Sequence, residues 1–108
     1  MMDRYVLVVS LWIHPGQEAA FEAFEGDAAR AMAKHGGRID QAVRLAPGLT
    51  PGGGGEPPFE VHVVSFPNRA AADSYGADPE FAGLRSRRSG IIARTEVLAG
   101  QKVGPYPG

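Results

Sequence analysis

The chain has no cysteine, which removes disulfides, thiolate nucleophiles and Cys-ligated metals from consideration. No apolar run approaches the ~18–20 residues that a bilayer span needs. Neither sign of charge dominates: 11 Lys and Arg stand against 12 Asp and Glu, a formal net charge of −1. That balance gives no long-range field to gather nucleic acid or an anionic membrane, so neither is expected as a partner. The opening MMDRYVLVVSLWIHPG pairs its one Arg with an acidic residue, and no small-residue cleavage site follows. A signal peptide is therefore not expected, and the expected location is the cytoplasm. With 108 residues, 44% of them hydrophobic, the composition is that of one ordinary globular domain. The domain is expected to span residues 1–100, with a tail over 101–108 that lacks any period.

What the sequence does contain is a succession of clear periods. RYVLVVSLWI, residues 4–13, is β-branched and aromatic, and Pro15-Gly16 closes it. Tyr5, Leu7, Val9, Leu11 and Ile13 share one face; Val6, Val8 and Trp12 share the other with Ser10. A strand apolar on both faces belongs at the centre of a sheet. The period then lengthens: Phe21, Phe24, Ala28, Ala31, Met32 and His35 form a helical stripe that Gly36-Gly37 ends. RIDQAVRLA alternates, which predicts a half-exposed strand with Ile39, Gln41, Val43 and Leu45 on one side. Residues 47–58, PGLTPGGGGEPP, read as a flexible loop. They are no phosphate cradle, since Gly-Lys-Ser/Thr leading into a helix is missing.

FEVHVVSF is a second doubly apolar strand, with Phe59, Val61 and Val63 opposite His62, Val64 and Phe66. Pro67 ends it and Asn68 is positioned to cap the next helix. That helix restarts at Asp78-Pro79 and ends near Gly90. IIARTEVLA is the last strand. The order β-α-β-β-α-β with two right-handed crossovers predicts a ferredoxin-like α+β sandwich: a four-stranded antiparallel sheet with the first and third strands central. Two helices cover only one face of such a sheet, yet both central strands are apolar on both faces. A second copy of the chain is the economical cover, so a homodimer is expected.

KHGGR entering the second strand, VHVVSFPN running into a helix, and DPEFAGLRSRRSG before the last strand resemble the bacterial domain of unknown function 1330 family. The resemblance covers residues 5–99. It implies a dimeric α/β barrel with sheets packed face to face, and antibiotic-biosynthesis-type monooxygenases as distant relatives. It implies no established reaction, and it calls for no metal. Relatives often carry acidic residues where His14 and Ser65 stand, so roles of those positions do not transfer.

The histidines are the candidates for chemistry. His62 lies within a central strand and is the expected catalytic residue, a general base beside Trp12 or His14. The bland alternative is a hydrogen-bonded structural histidine at the dimer interface. Trp12, His14, Phe66 and Tyr75 are the expected ligand-binding residues, lining an apolar cleft between sheet and helices. His35 is accounted for by its place at a helix C-terminus. A metal held by His14, His62 and Glu60 has no supporting ligand spacing, and neither metal nor cofactor is expected. Arg85, Arg87 and Arg88 make a small basic cluster late in the second helix; the expected reading is a solvated face at a helix C-terminus, and the alternative is an anionic ligand. The functional expectation is a small apolar or aromatic ligand, with cofactor-free catalysis in view. The alternative is a non-catalytic dimeric module.

Overall fold

The computed structural model describes residues 4–46 and 55–107. Its elements are β1 (Tyr5–Ile13), α1 (Glu18–Ala33), β2 (Arg38–Arg44), β3 (Glu60–Phe66), α2 (Arg69–Ala77), α3 (Pro79–Arg88) and β4 (Ile92–Gly100). The sheet is antiparallel in the order β2-β3-β1-β4. The two strands that are apolar on both faces thus occupy the centre, and the charged strands the edges. This is the ferredoxin-like arrangement, with the second helical region divided into α2 and α3. Most of the expected flexible loop, residues 47–54, lies outside the described residues; 55–58 form no helix or strand, and the tail 101–107 is irregular and exposed.

Local chemistry sets the boundaries. Gly36 takes a φ of 73°, a conformation open to glycine, and so turns the chain out of the first helix. The Asn68 side chain accepts from the Ala71 amide at 2.8 Å and starts α2. Asp78 stops α2 in an extended conformation, and its carboxylate accepts from the Glu80 amide at 2.8 Å, starting α3 behind Pro79. His35, at the end of α1, hydrogen bonds to the same Asp78 at 2.6 Å and ties the two helical regions together.

Helices cover one face of the sheet. Leu7, Val9 and Leu11 of β1 and Val64 and Phe66 of β3 pack beneath Phe21, Phe24, Ala28, Met32 and Leu84. Burial of this kind contributes about 25 cal/mol per Å² of apolar area. The opposite face carries Val6, Val8 and Trp12 of β1 with Val61 and Val63 of β3, none of them in the core under the helices. Val8, Val43 and Leu98 are 37%, 46% and 70% exposed there.

Two expectations about side-chain direction are corrected. The β2 alternation breaks at Asp40, where the pairing with β3 shifts: Ile39 lies opposite Val64, but Gln41 lies opposite Val63. The bulged residue consumes one step of the two-residue period. Ile39 therefore faces the helices while Val43 faces outward. Phe59, which precedes β3, leaves the face of Val61 and Val63 and meets the Phe21 ring edge-on at 5.6 Å.

Candidate functional site

The helices leave a cavity of about 420 Å³ above the sheet, within the range of small-molecule pockets. Its two ends differ in chemistry. Antiparallel pairing sets Val64 opposite Leu7 and Phe66 opposite Tyr5 at one end, and Glu60 and Thr95 opposite Leu11 at the other. The first end is apolar, walled by Leu7, Ile39, Val64, Phe66 and Met32. Glu25, His62, Arg88 and Thr95 give the second end its polar groups, and Tyr75 lines the wall from α2.

His62 is only 3% exposed. It stands opposite Val9 in the centre of the sheet, on the helix-covered face. Its Nε2 lies 2.5 Å from Glu60 Oε2. The other Glu60 oxygen accepts from Arg44 Nη2 at 2.8 Å and Nε at 3.1 Å, and Arg44 also reaches Glu22 at 3.1 Å. A carboxylate so engaged only accepts, so Nε2 carries the hydrogen in this pair. In the neutral ring Nδ1 is then left with its lone pair. Nδ1 is 3.8 Å from Glu25 Oε2, too far for a hydrogen bond. A carboxylate orienting an imidazole, with the second ring nitrogen turned toward another carboxyl in an apolar cavity, can take up and return a proton.

Burial pushes the Glu25 carboxyl up from the ordinary range. His62 opposes the rise, Glu60 adds to it, and Arg88 opposes it. Tyr75 is pushed up to about 12, first by burial and then by the charge of Glu25. It is therefore a neutral phenol and a hydrogen-bond donor at physiological pH. Phe21 lies 6.3 Å from the His62 ring, and Phe66 lies 5.7 Å from Tyr75.

The expected site residues divide between two places. His62, Phe66 and Tyr75 line the cavity. Trp12 and His14 line a separate groove of about 350 Å³ with Glu18, Glu56 and Phe59. The expected approach of His62 to Trp12 or His14 is corrected by strand parity: Trp12 points to the opposite face of β1, and His14 lies beyond the strand end. The Trp12 indole donates to the Glu56 carbonyl at 3.0 Å, and Arg94 stacks 4.4 Å above its ring. His14 Nε2 meets the Ser89 carbonyl at 3.1 Å. The same parity sets His62 on the helix-covered face, away from the open face of the sheet.

Glu25 and Arg88 were missed as site residues by sequence reasoning. Glu25 had a signal: it sits four residues after Phe21 and three before Ala28, inside the apolar stripe of α1. Arg88 had only its place in a basic cluster, because its direction depends on how α3 lies over β4. The solvated-face reading is corrected for Arg88, which lines the cavity, whereas Arg87 pairs with Asp27 at 2.7 Å and Arg85 covers the Phe81 ring at 4.8 Å. Among the described residues no three His, Asp or Glu side chains converge on a position for a metal ion. No described helix is long and apolar enough to cross a membrane.

No family model matches the chain, and no curated protein does either. Solved structures are similar throughout its length. A protein of unknown function from Rhodopseudomonas palustris superposes with a TM-score of 0.79 at 15% identity, over 97% of this chain and 86% of that one. A candidate antibiotic biosynthesis monooxygenase from Nitrosomonas europaea gives 0.72 at 13%, over 99% and 98%. A nipsnap family protein of unknown function from Agrobacterium tumefaciens gives 0.71 at 15%, over 97% and 93%. At such identities the likeness establishes the fold alone: a ferredoxin-like α+β sandwich, four antiparallel strands under three helices.

Proposed function

We propose that the chain is a homodimer that binds a small apolar or aromatic molecule between sheet and helices. There it performs cofactor-free acid–base chemistry with His62 as the proton-handling residue. One observation carries this reading: at the polar end of the cavity, Glu60 engages His62 Nε2 at 2.5 Å while Nδ1 is directed toward Glu25, 3.8 Å away. In the proposed chemistry, Nδ1 accepts a proton from the ligand and Glu25 stands next to it as a second proton carrier. Phe66 and Tyr75 contact the ligand body. Trp12 and His14, in their separate groove, are at most a second ligand-contacting surface.

Support for the dimer comes from the outward valines of the two central strands, which a second sheet would cover. The candidate monooxygenase from Nitrosomonas europaea lends support to catalysis by analogy of fold. Membership of the bacterial domain of unknown function 1330 family and a cytoplasmic location belong to the same proposal. The competing reading, a non-catalytic dimeric module, draws on the full satisfaction of buried polar side-chain atoms among the described residues.

Naphthol separates the two readings, being a neutral aromatic with one weakly acidic hydroxyl for Nδ1. Wild-type protein is expected to bind it, and His62→Ala to lose at least about tenfold in affinity while remaining a folded dimer. Glu60 keeps Arg44 as a partner in that variant. An unfolded or monomeric His62→Ala would assign the residue to structure instead.

A further inference from the structure

The last turn of α3 carries three arginines, and each takes a different partner. Arg87 pairs with Asp27, and Arg85 lies over the Phe81 ring. Arg88 is the one Arg or Lys on the cavity wall among the described residues. Its Nη2 donates to Thr95 Oγ1 at 2.6 Å, and no described carboxylate lies within ion-pair distance of it. The guanidinium is thus fixed from α3 across to β4 with most of its planar donor edge unused. Thr95, having accepted from Arg88, retains its own hydroxyl hydrogen to donate.

We infer that Arg88 and Thr95 form an anion anchor, and that the cavity takes an apolar molecule bearing a carboxylate. The head would sit at Arg88, and the body would extend toward Val64 and Phe66. This rests on the cavity being a ligand site, as proposed above. A carboxylate matches the guanidinium fork, and a charge-assisted hydrogen bond to it is stronger than one between neutral groups. Glu25 is the competitor on the protein's side: it shares the cavity wall with Arg88 but forms no ion pair with it among the described residues. The register of the sheet keeps the two ends of the ligand apart: Thr95 is level with Leu11, whereas Val64 is level with Leu7. A carboxylate at the anchor therefore brings the atoms next to it beside His62.

Calorimetric titration with cinnamate and with its neutral amide, cinnamamide, tests the anchor. Wild-type protein is expected to bind the acid at least about tenfold more tightly than the amide. Arg88→Met, which keeps the apolar stem and removes the charge, is expected to bind both equally; Thr95→Val should lose part of the preference. Equal wild-type affinity for acid and amide would overturn the anchor and leave the cavity reading standing. A preference surviving in Arg88→Met would likewise overturn it. Binding of neither compound would overturn both.

Discussion

The two faces of the sheet are cut from the same strands, yet they hold different chemistry. On the helix-covered face, Leu7, Val9, Leu11, Val64 and Phe66 surround a buried His62–Glu60 pair beside Glu25. On the open face, valines from β1 and β3 run between Trp12 at one end and Ser65 at the other. Ser65 is fastened by Arg4, whose Nε donates to its hydroxyl at 2.8 Å. The difference teaches where ionisable groups can be kept in so small a protein. Charges inside an apolar layer need a chain of partners, and Glu22, Arg44 and Glu60 provide one that leads from the surface to the imidazole. Among the described residues no helix lies above the open face, and its charges stand at the margins of the valines, where Arg94 pairs with Glu96 at 2.9 Å and Arg38 with Asp40 at 2.7 Å.

Breaking the covered face should have the largest effect. Phe66 is 2% exposed and contributes to both core and cavity. Phe66→Ala is expected to cost ~3–5 kcal/mol, read from urea unfolding. Gly37→Ala comes next. A Cβ there would collide with Met32 and with the Phe66 ring, and neither can yield without disturbing the core. Overpacking of this kind costs ~1–3 kcal/mol, which a shift in the unfolding midpoint would show. On the open face, Val8→Asp should destabilise the protomer by about 1 kcal/mol, the span of strand propensity. Its expected effect is on assembly, moving the mass in solution from dimer to monomer. If Val8→Asp unfolded the protomer outright, the two faces would not be energetically separate.

The smallest effect sharpens the comparison most finely. Burial raises the folded-state pKa of Glu25, so the folded chain holds its proton to higher pH than the unfolded chain does. Glu25's contribution to stability should therefore fall as pH rises from the ordinary carboxyl value through the raised one, then level off, against the opposite contributions of Asp27, Asp40 and Asp78, whose folded-state values are lowered. Glu25→Gln should remove that falling contribution, so that its stability rises more steeply with pH than the wild type's over the same window, measured by urea unfolding across acidic to neutral pH. An unchanged slope in Glu25→Gln would mean that another group sets it.

Much of the frame was legible in the sequence because it rests on periods and breakers. Two strands apolar on both faces implied a centre, Gly36-Gly37 implied a helix end, and Asp78-Pro79 implied a restart. Side-chain direction was legible only where the period held. The bulge at Asp40 depends on pairing between β2 and β3, and no local signal announced it. Of the site, His62, Phe66 and Tyr75 could be named from aromatic and polar residues at otherwise apolar positions. Grouping them with Trp12 failed because the strands' parity sends that side chain through to the other face. Glu25 was readable as a carboxylate within an apolar stripe, whereas Arg88 became visible only once α3 was laid over β4.

The central claim is that the covered face holds a ligand through His62 while the open face joins two copies. Native mass spectrometry with naphthol present, on wild type and His62→Ala side by side, tests it most directly. The account predicts a wild-type dimer carrying one naphthol per protomer and a His62→Ala dimer with far lower naphthol occupancy. A monomer, or naphthol retained equally by both proteins, would contradict it.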